Sequence, residues 1–330
     1  MKKNILIVPC NNGLGHIVRC VILANYLVKY YDVTLIIDKN KKKKFLIKKQ
    51  IKLIYQTLRN NISIQKKYFF EKRLNISFNN YDLILSDNLV EPIFKNKKTM
   101  LLGNFFWHDI IVNQKFKRIF SNIIKIGNIK LFRNYLFAYK NYNNSYSIPF
   151  FGKFRIKHKS SRENILISLG TADLQRKKII FNHILSALKK FNLPVVYLDK
   201  DLYNFIIKKN KDKKFKQHIA VAKYDKKMFE EVSVALIKPG FGIIRDCLSN
   251  SIKMIIPKMK YNKEFLHNSK ILQINNLGIQ FETFEKSLEY SINYIKNIYE
   301  KKKYFNICKK LKWNAEETIY KEVKKFFLKY

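Results

Sequence analysis

The stretch NNGLGHIVRC (11–20) places two glycines, a histidine and an arginine directly after an apolar run, ILIVP. A strand that turns through glycine into a helix leaves the first backbone N–H groups of that helix free at the turn. Gly13 and Gly15 permit close backbone approach there. His16 stands at the carboxyl end of the strand, where ligands bind in open α/β sheets. A neutral imidazole in that position takes a proton from a hydroxyl or from water. Arg19 is expected to support the helix. The pattern is not a dinucleotide fingerprint, because H-x-x-R follows G-x-G, and it is not a Walker loop, because no G-K-[ST] follows.

A second turn of this kind lies in ALIKPGFGIIRDC (235–247), where Gly240, Phe241 and Gly242 open a helix able to receive phosphate oxygens. Asp246, one to two turns into that helix, suits both hydroxyls of a ribose and an ordinary surface carboxylate equally, and a helix starting near Asn262 offers Glu264 and Asn268. A third turn, in NILISLGTAD (164–173), ends in Gly170 and Thr171, which suit a diphosphate and an ordinary N-cap equally. Two carboxylates are candidates to orient His16 and stabilise its imidazolium form. One is Asp87, at the end of YDLILSD. The other is Asp109, in LLGNFFWHDII beside Asn104, Trp107 and His108.

These residues need strands and helices to hold them. KNILIVPC, DVTLIID, IKLIYQ, YDLILSD and KTMLLGNF read as strands in the first half, and NILISLG, PVVYLD, HIAVA, VALIKPG and KMIIPK in the second. Residues 17–30, 175–191 and 264–276 have helical spacing between them. Apolar runs separated by helices indicate parallel sheets with crossover connections. The pattern restarts near Asn164 after a basic stretch, 151–164, so two doubly wound α/β domains with a cleft between them are expected. Residues 69–80 and 115–147, rich in Phe, Tyr, Asn and Lys, are expected to be helical, and 314–330 forms an amphipathic helix carrying Thr318, Val323 and Phe327.

Composition limits the partners. Among 330 residues, 66 Lys and Arg face 24 Asp and Glu, a net charge of +42 that attracts anionic lipid, nucleotide phosphate or nucleic acid. The four cysteines (Cys10, Cys20, Cys247, Cys308) form no C-x-x-C pair, so neither zinc nor a disulfide framework is indicated. The N-terminal apolar run is too short for a secretory signal, and no run approaches the ~18 residues of a membrane span. A cytoplasmic protein is expected, resting as a peripheral protein on the anionic inner membrane face.

Taken together, these motifs resemble the GT-B glycosyltransferase superfamily. GLGHIVRCVILANYL resembles the G-x-G-H-x-x-R-x-x-x-L-A signature of its bacterial branches. KPGFGIIRDCLSNSIKMIIP resembles the donor-nucleotide signature of the branch that includes the peptidoglycan N-acetylglucosaminyltransferase. The resemblance implies that Gly240 takes the turn position, Asp246 the ribose acid, and Glu264 and Asn268 the sugar-facing positions. The usual residues there are Glu for the acid and Gln for the first amide, so Asp246 and Glu264 are departures. NNGLGHIVRCVILA with ILISLGTAD is also similar to the nucleotide-sugar hydrolases of nonulosonic-acid biosynthesis, which use this histidine to activate water. SDNLVEP and LLGNFFWHDII look more like the transferases.

The expectations that follow are concrete. The fold is GT-B, two Rossmann-like domains facing a cleft: an acceptor domain over 1–155, a nucleotide-sugar domain over 156–312, and a C-terminal helix over 313–330 packing back on the first. The activity is inverting, metal-independent transfer from a UDP-sugar or other nucleotide sugar to a hydroxyl of a cell-surface glycan or lipid-linked precursor. The alternative is hydrolysis of a nucleotide sugar in pseudaminic-type acid biosynthesis. No cofactor, no metal and no specific nucleic acid are expected, and an anionic membrane surface is a further partner.

Overall fold

The structure is a computed structural model. It describes residues 2–10, 14–39, 45–56, 76–90, 92–93, 96–106, 114, 117–118, 121–122, 129–140, 142–155, 161–170, 174–258 and 263–329, with only the backbone for 174–178. The chain divides into two compact units, residues 1–153 with 312–330, and residues 154–311.

The first unit is built on β1 (Asn4–Val8), β2 (Asp32–Asp38), β3 (Lys52–Gln56), β4 (Leu83–Asp87), β5 (Thr99–Leu102), β6 (Leu131–Asn134) and β7 (Ser145–Ile148). They form one parallel sheet in the order β3-β2-β1-β4-β5-β6-β7. The strands read as unbroken apolar runs because both faces are covered. Ile5, Ile7, Leu83 and Leu85 point one way, into a core with Ile17, Leu23 and Leu27 of α1 (Leu14–Leu27). Leu6, Val8, Ile84 and Leu101 point the other way, toward Phe78 and Phe106.

The second unit has β8 (Asn164–Ser168), β9 (Val196–Leu198), β10 (Ile219–Val221), β11 (Val232–Ile237), β12 (Lys253–Pro257) and β13 (Gly278–Phe281). Its parallel sheet runs β10-β9-β8-β11-β12-β13. The helices, in chain order, are α2 (Leu174–Lys189), α3 (Lys200–Lys209), α4 (Lys213–Gln217), α5 (Lys226–Glu231), α6 (Phe241–Ser249), α7 (Lys263–Ile274), α8 (Phe284–Lys296), α9 (Ile298–Lys309) and α10 (Ala315–Lys329). Each sheet reverses its winding once, between β1 and β4 and between β8 and β11. That switch point is where an open α/β sheet leaves a crevice at the carboxyl ends of its strands.

Helix α10 belongs to the first unit. Its Ile319 and Val323 enter the α1 core, and Tyr320 stacks on Tyr30 at 4.1 Å between ring centroids. Gly152 N–H donates to Glu316 (3.1 Å), and Lys130 Nζ donates to Glu322 (2.8 Å). Among the described residues no helix is long and apolar enough to cross a membrane.

The expectation of helices over 115–147 is corrected: residues 131–134 and 145–148 are strands β6 and β7. Their pattern is masked by Arg133, a fully buried cation in the middle of LFRN. Its guanidinium donates to the Gly103 (3.2 Å), Asn104 and Lys140 carbonyls and lies over the Phe106 and Tyr142 rings. Of the stretch 69–80, also expected to be helical, residues 69–75 lie outside the described residues and 78–80 form one 3-10 turn. The short strand β13 escaped the reading. It begins at Gly278, where a Cβ would lie 3.2 Å from Leu272 Cβ and 3.3 Å from the Met254 carbonyl.

Candidate active site

At the switch point of the first unit, β1 leads toward α1 and β4 ends on Asp87. The register pairs Val8 with Ser86, so Asp87 follows the last residue of β4 that pairs with β1, while it pairs with Leu102 of β5. His16 is the third residue of α1 and Arg19 lies three further on, which puts both on one face of the helix. Both reach Asp87. Arg19 Nε donates to Oδ2 at 2.6 Å and its Nη2 donates to Oδ1, a forked pair. His16 Nδ1 lies 3.1 Å from Oδ1 and 2.9 Å from Arg19 Nη2. Cys20 Sγ donates to Oδ2 at 3.6 Å.

Asp87 has no exposure, Arg19 is 8% exposed, and the His16 side chain is 20% exposed. Burial pushes the Asp87 carboxyl up, but the Arg19 guanidinium, His16 and the bonds they donate outweigh it and hold the group at about 2. It is therefore an anion throughout the neutral range. The Cys20 thiol is pushed far up, by burial first and by the Asp87 charge second, so it is a thiol and not a nucleophile. An ionised carboxylate only accepts. When His16 Nδ1–H donates to Asp87, Nε2 keeps its lone pair; when Nδ1 accepts from Arg19, Nε2 carries the proton.

Of the two candidate carboxylates, Asp87 is described, and it reaches His16. Asp109 lies outside the described residues, as do Gly13, Thr171, Trp107 and His108. Gly15 is the second residue of α1. Arg19, expected only to support its helix, is the principal partner of Asp87. No spacing rule shows this, because residue 87 lies 68 positions away.

In the second unit, β8 ends in a turn at Gly170, whose φ of +63° explains the glycine, since a Cβ there would meet nothing within 4 Å. Two amides at this turn are already committed. Leu169 N–H and Gly170 N–H donate to Asp199 Oδ2 at 2.7 and 2.9 Å. Tyr224, itself at φ 55°, donates its hydroxyl to Asp199 and shares a 2.8 Å bond with Ser168 Oγ. Burial and then the Asp199 charge push the Tyr224 phenol far up. Asp199 follows β9 and Tyr224 follows β10, so one carboxylate ties the carboxyl ends of three neighbouring strands. Sequence reasoning missed both residues. The signal for Asp199 was present: VVYLD ends an apolar run on Asp as LILSD does.

The second glycine turn leaves β11. Lys238 N–H donates to the Ser168 carbonyl (2.9 Å), and Gly240 N-caps α6 with no side chain to bond the helix's first amides. Nothing lies within 4 Å of a Cβ placed on Gly240. Phe241 and Gly242 are the first two residues of α6. Asp246, on the same helix, is partly exposed, and its Oδ1 accepts from the neighbouring Arg245 (Nε 3.1 Å, and Nη2). Glu264 lies in the first turn of α7. Asn268 is 1% exposed, and its Nδ2 donates to the Pro239 carbonyl at 2.9 Å, bracing the turn before Gly240.

No protein-family model matches the chain, and no curated protein matches its sequence. Two doubly wound units in one chain define the class by architecture, and it is the GT-B fold. The structure is similar to the glycosyltransferase SnogD from Streptomyces nogalater, with TM-score 0.63, 11% identity, and 98% of this chain and 99% of that one covered. It is similar to the spinosyn forosaminyltransferase SpnP, with TM-score 0.65, 10% identity and 99% of each chain covered. It is also similar to Arabidopsis thaliana UGT89C1 complexed with UDP-L-rhamnose, with TM-score 0.62, 12% identity, and 99% and 98% covered.

Proposed function

We propose that this protein is a glycosyltransferase that moves a sugar from a nucleotide donor, UDP-linked, to an acceptor hydroxyl with inversion at the anomeric carbon. The observation that carries the reading is the His16–Asp87 pair at the carboxyl edge of the first sheet. In the productive tautomer Nδ1–H donates to the ionised Asp87, and Nε2 takes the acceptor's proton as its oxygen attacks. The new C–O bond forms as the bond to the diphosphate breaks, and the electron pair leaves with the phosphate oxygen. Arg19 is a positioning residue that holds Asp87 charged and aimed.

The donor is assigned to the second unit. Its diphosphate lies over the N-terminus of α6 at Gly240, Phe241 and Gly242, where the positive end of the helix stabilises the growing charge, so no divalent ion is assigned. Asp246 is assigned to the ribose and Glu264 to the sugar. UDP is supported by the solved structure of UGT89C1, which is complexed with UDP-L-rhamnose. The acceptor is read as a cell-surface glycan or lipid-linked precursor, and the +42 charge as a surface that rests on anionic inner-membrane lipid.

The test is UDP release from UDP-glucose, UDP-galactose and UDP-N-acetylglucosamine, with and without methyl glycosides as acceptors. His16→Ala should slow release by about 10²-fold or more while UDP binds within about twofold of wild type by calorimetry. Retained turnover, or lost UDP binding with chemistry intact, refutes the role of His16. Stoichiometric free sugar released at the full rate without acceptor makes water the acceptor and the protein a hydrolase.

A further inference from the structure

Between β2 and β3 lies the stretch FLIKKQI (45–51). Phe45 and Ile47 pack against the core that α1 shares with the first sheet. Leu46, between them, is 94% exposed. A lone exposed leucine needs no explanation, but this one is held out. Asn25 of α1 grips the loop on both sides of it. Its Nδ2 donates to the Leu46 carbonyl and its Oδ1 accepts from Lys48 N–H, both at 2.9 Å. Two hydrogen bonds and two inward neighbours thus fix the loop with its leucine outward. Lys48 and Lys49 follow it, both exposed. Over residues 39–52 the sequence carries eight lysines and no acid.

We infer that Leu46, Lys48 and Lys49 form a membrane-contact site, in which the leucine enters an anionic bilayer face and the lysines meet lipid phosphates. This rests on reading the basic surface as one that sits on anionic lipid, and it names the place. Leucine gains by leaving water for the acyl boundary. Lysine stems lie along apolar surface and keep their ammonium groups at headgroup level, where each is drawn to an anionic leaflet. A nucleic acid fits less well. Its backbone offers phosphates to the lysines and nothing apolar to Leu46, and Phe45, the loop's aromatic ring, is packed on the core and not presented to a base. Asn25 lies nine residues beyond His16 on α1, about 14 Å along the helix at 1.5 Å per residue. The contact is therefore separate from the reacting groups.

The experiment sediments the full chain with vesicles of phosphatidylcholine containing phosphatidylglycerol, and with vesicles of phosphatidylcholine alone. Wild type should bind the mixed vesicles and not the neutral ones. Leu46→Asn should weaken that binding about tenfold or more, the size of one leucine side chain taken out of water. Lys48→Glu combined with Lys49→Glu should weaken it at least as much. Ile298→Asn, at a 61% exposed position on α9, should bind as wild type does. Leu46→Trp should gain an emission that shifts to the blue on mixed vesicles and is quenched by brominated acyl chains. Urea melts of the Leu46 variants should match wild type, because the side chain is in water. The site is overturned, and the membrane reading stands, if wild type binds mixed vesicles while Leu46→Asn binds them equally, Ile298→Asn weakens as much, or the Leu46→Trp emission stays unshifted. Both fall if wild type ignores mixed vesicles or binds neutral ones equally. If the double lysine variant loses duplex DNA and keeps vesicles, the loop contacts nucleic acid and the inference is overturned.

Discussion

Replacing Asp87 by asparagine separates the two jobs this carboxylate does. The first is structural. Arg19 is 8% exposed and its fork is spent on Asp87, so the substitution leaves a buried guanidinium without its counter-charge. Breaking a buried pair from one side costs about 3–5 kcal/mol. The second job, under the proposed function, is catalytic. An asparagine amide can donate to His16 Nδ1 as readily as accept from it, so the tautomer that keeps Nε2 basic is no longer enforced, and kcat should fall about 10²- to 10⁴-fold. Urea melts and kcat at saturating substrates are measured on Asp87→Asn alone and combined with Arg19→Met. The double variant removes the orphaned cation, so most of the stability should return while kcat stays low. Acid adds an independent check. The carboxyl sits at about 2 against 3.8 for an ordinary aspartate, so at about 1.4 kcal/mol per pH unit it contributes about 2.5 kcal/mol. Because the folded value is the lower one, that stability is fully present above about pH 4 and is lost as pH falls through 2. It is smaller than the mutational cost because a protonated Asp87 still accepts hydrogen bonds. A folded variant with kcat within about threefold of wild type would refute the claim that Asp87 sets the tautomer.

Four further outcomes follow from the geometry. Asp199→Ala strips the acceptor from two amides and the Tyr224 hydroxyl, so scanning calorimetry should show a loss of about 2–3 kcal/mol; a loss under about 1 kcal/mol means those groups turn to solvent. Gly170→Ala forces a side chain into φ +63° and should cost about 1–2 kcal/mol in a urea melt. Gly240→Ala, at φ −78° with open space around it, should leave stability within about 0.5 kcal/mol yet weaken UDP in a calorimetric titration, because the methyl fills open space at the turn to which the diphosphate is assigned. Cys20, 1% exposed with its thiol pushed far up, should resist iodoacetamide at pH 8 until the protein is unfolded, as read by mass spectrometry.

Much of the fold was legible because both sheets are buried on two faces, so ILIV, LILS and VALI stand out as unbroken apolar runs between helical stretches. The strands that escaped have polar interruptions. Arg133 sits in β6 with its charge met by carbonyls and rings that lie elsewhere in the sequence. The site was legible in its residue types and not in its pairings. Asp87 and Asp109 were equal candidates on paper; the β1–β4 register, which sets Ser86 beside Val8, brings Asp87 to His16. Arg19 three residues from His16 fits any supporting role until the strand behind it is placed. The Gly170 amides looked free because their partner, Asp199, comes 29 residues later.

Charge excess and site chemistry are separate matters in this chain. With 24 acids against 66 bases, the acids do not simply neutralise the surface. Asp87, Glu316 and Glu322 are 0%, 6% and 9% exposed, and each takes specific donors that fix an element in place. Exposed pairs such as Lys258–Glu282 contribute little. The +42 therefore acts on what approaches from outside, and salt screens it over about 10 Å at 0.1 M. The Arg19–Asp87–His16 contacts lie within hydrogen-bonding distance and mostly out of water, where ions do not enter. Raising the salt should release an anionic surface from the lysines while leaving the His16 tautomer as it is. A rate per bound complex that holds as association weakens would place the lysines in encounter and Asp87 in chemistry; a rate that falls with salt in step with binding would mean that the surface charge acts on the reacting groups.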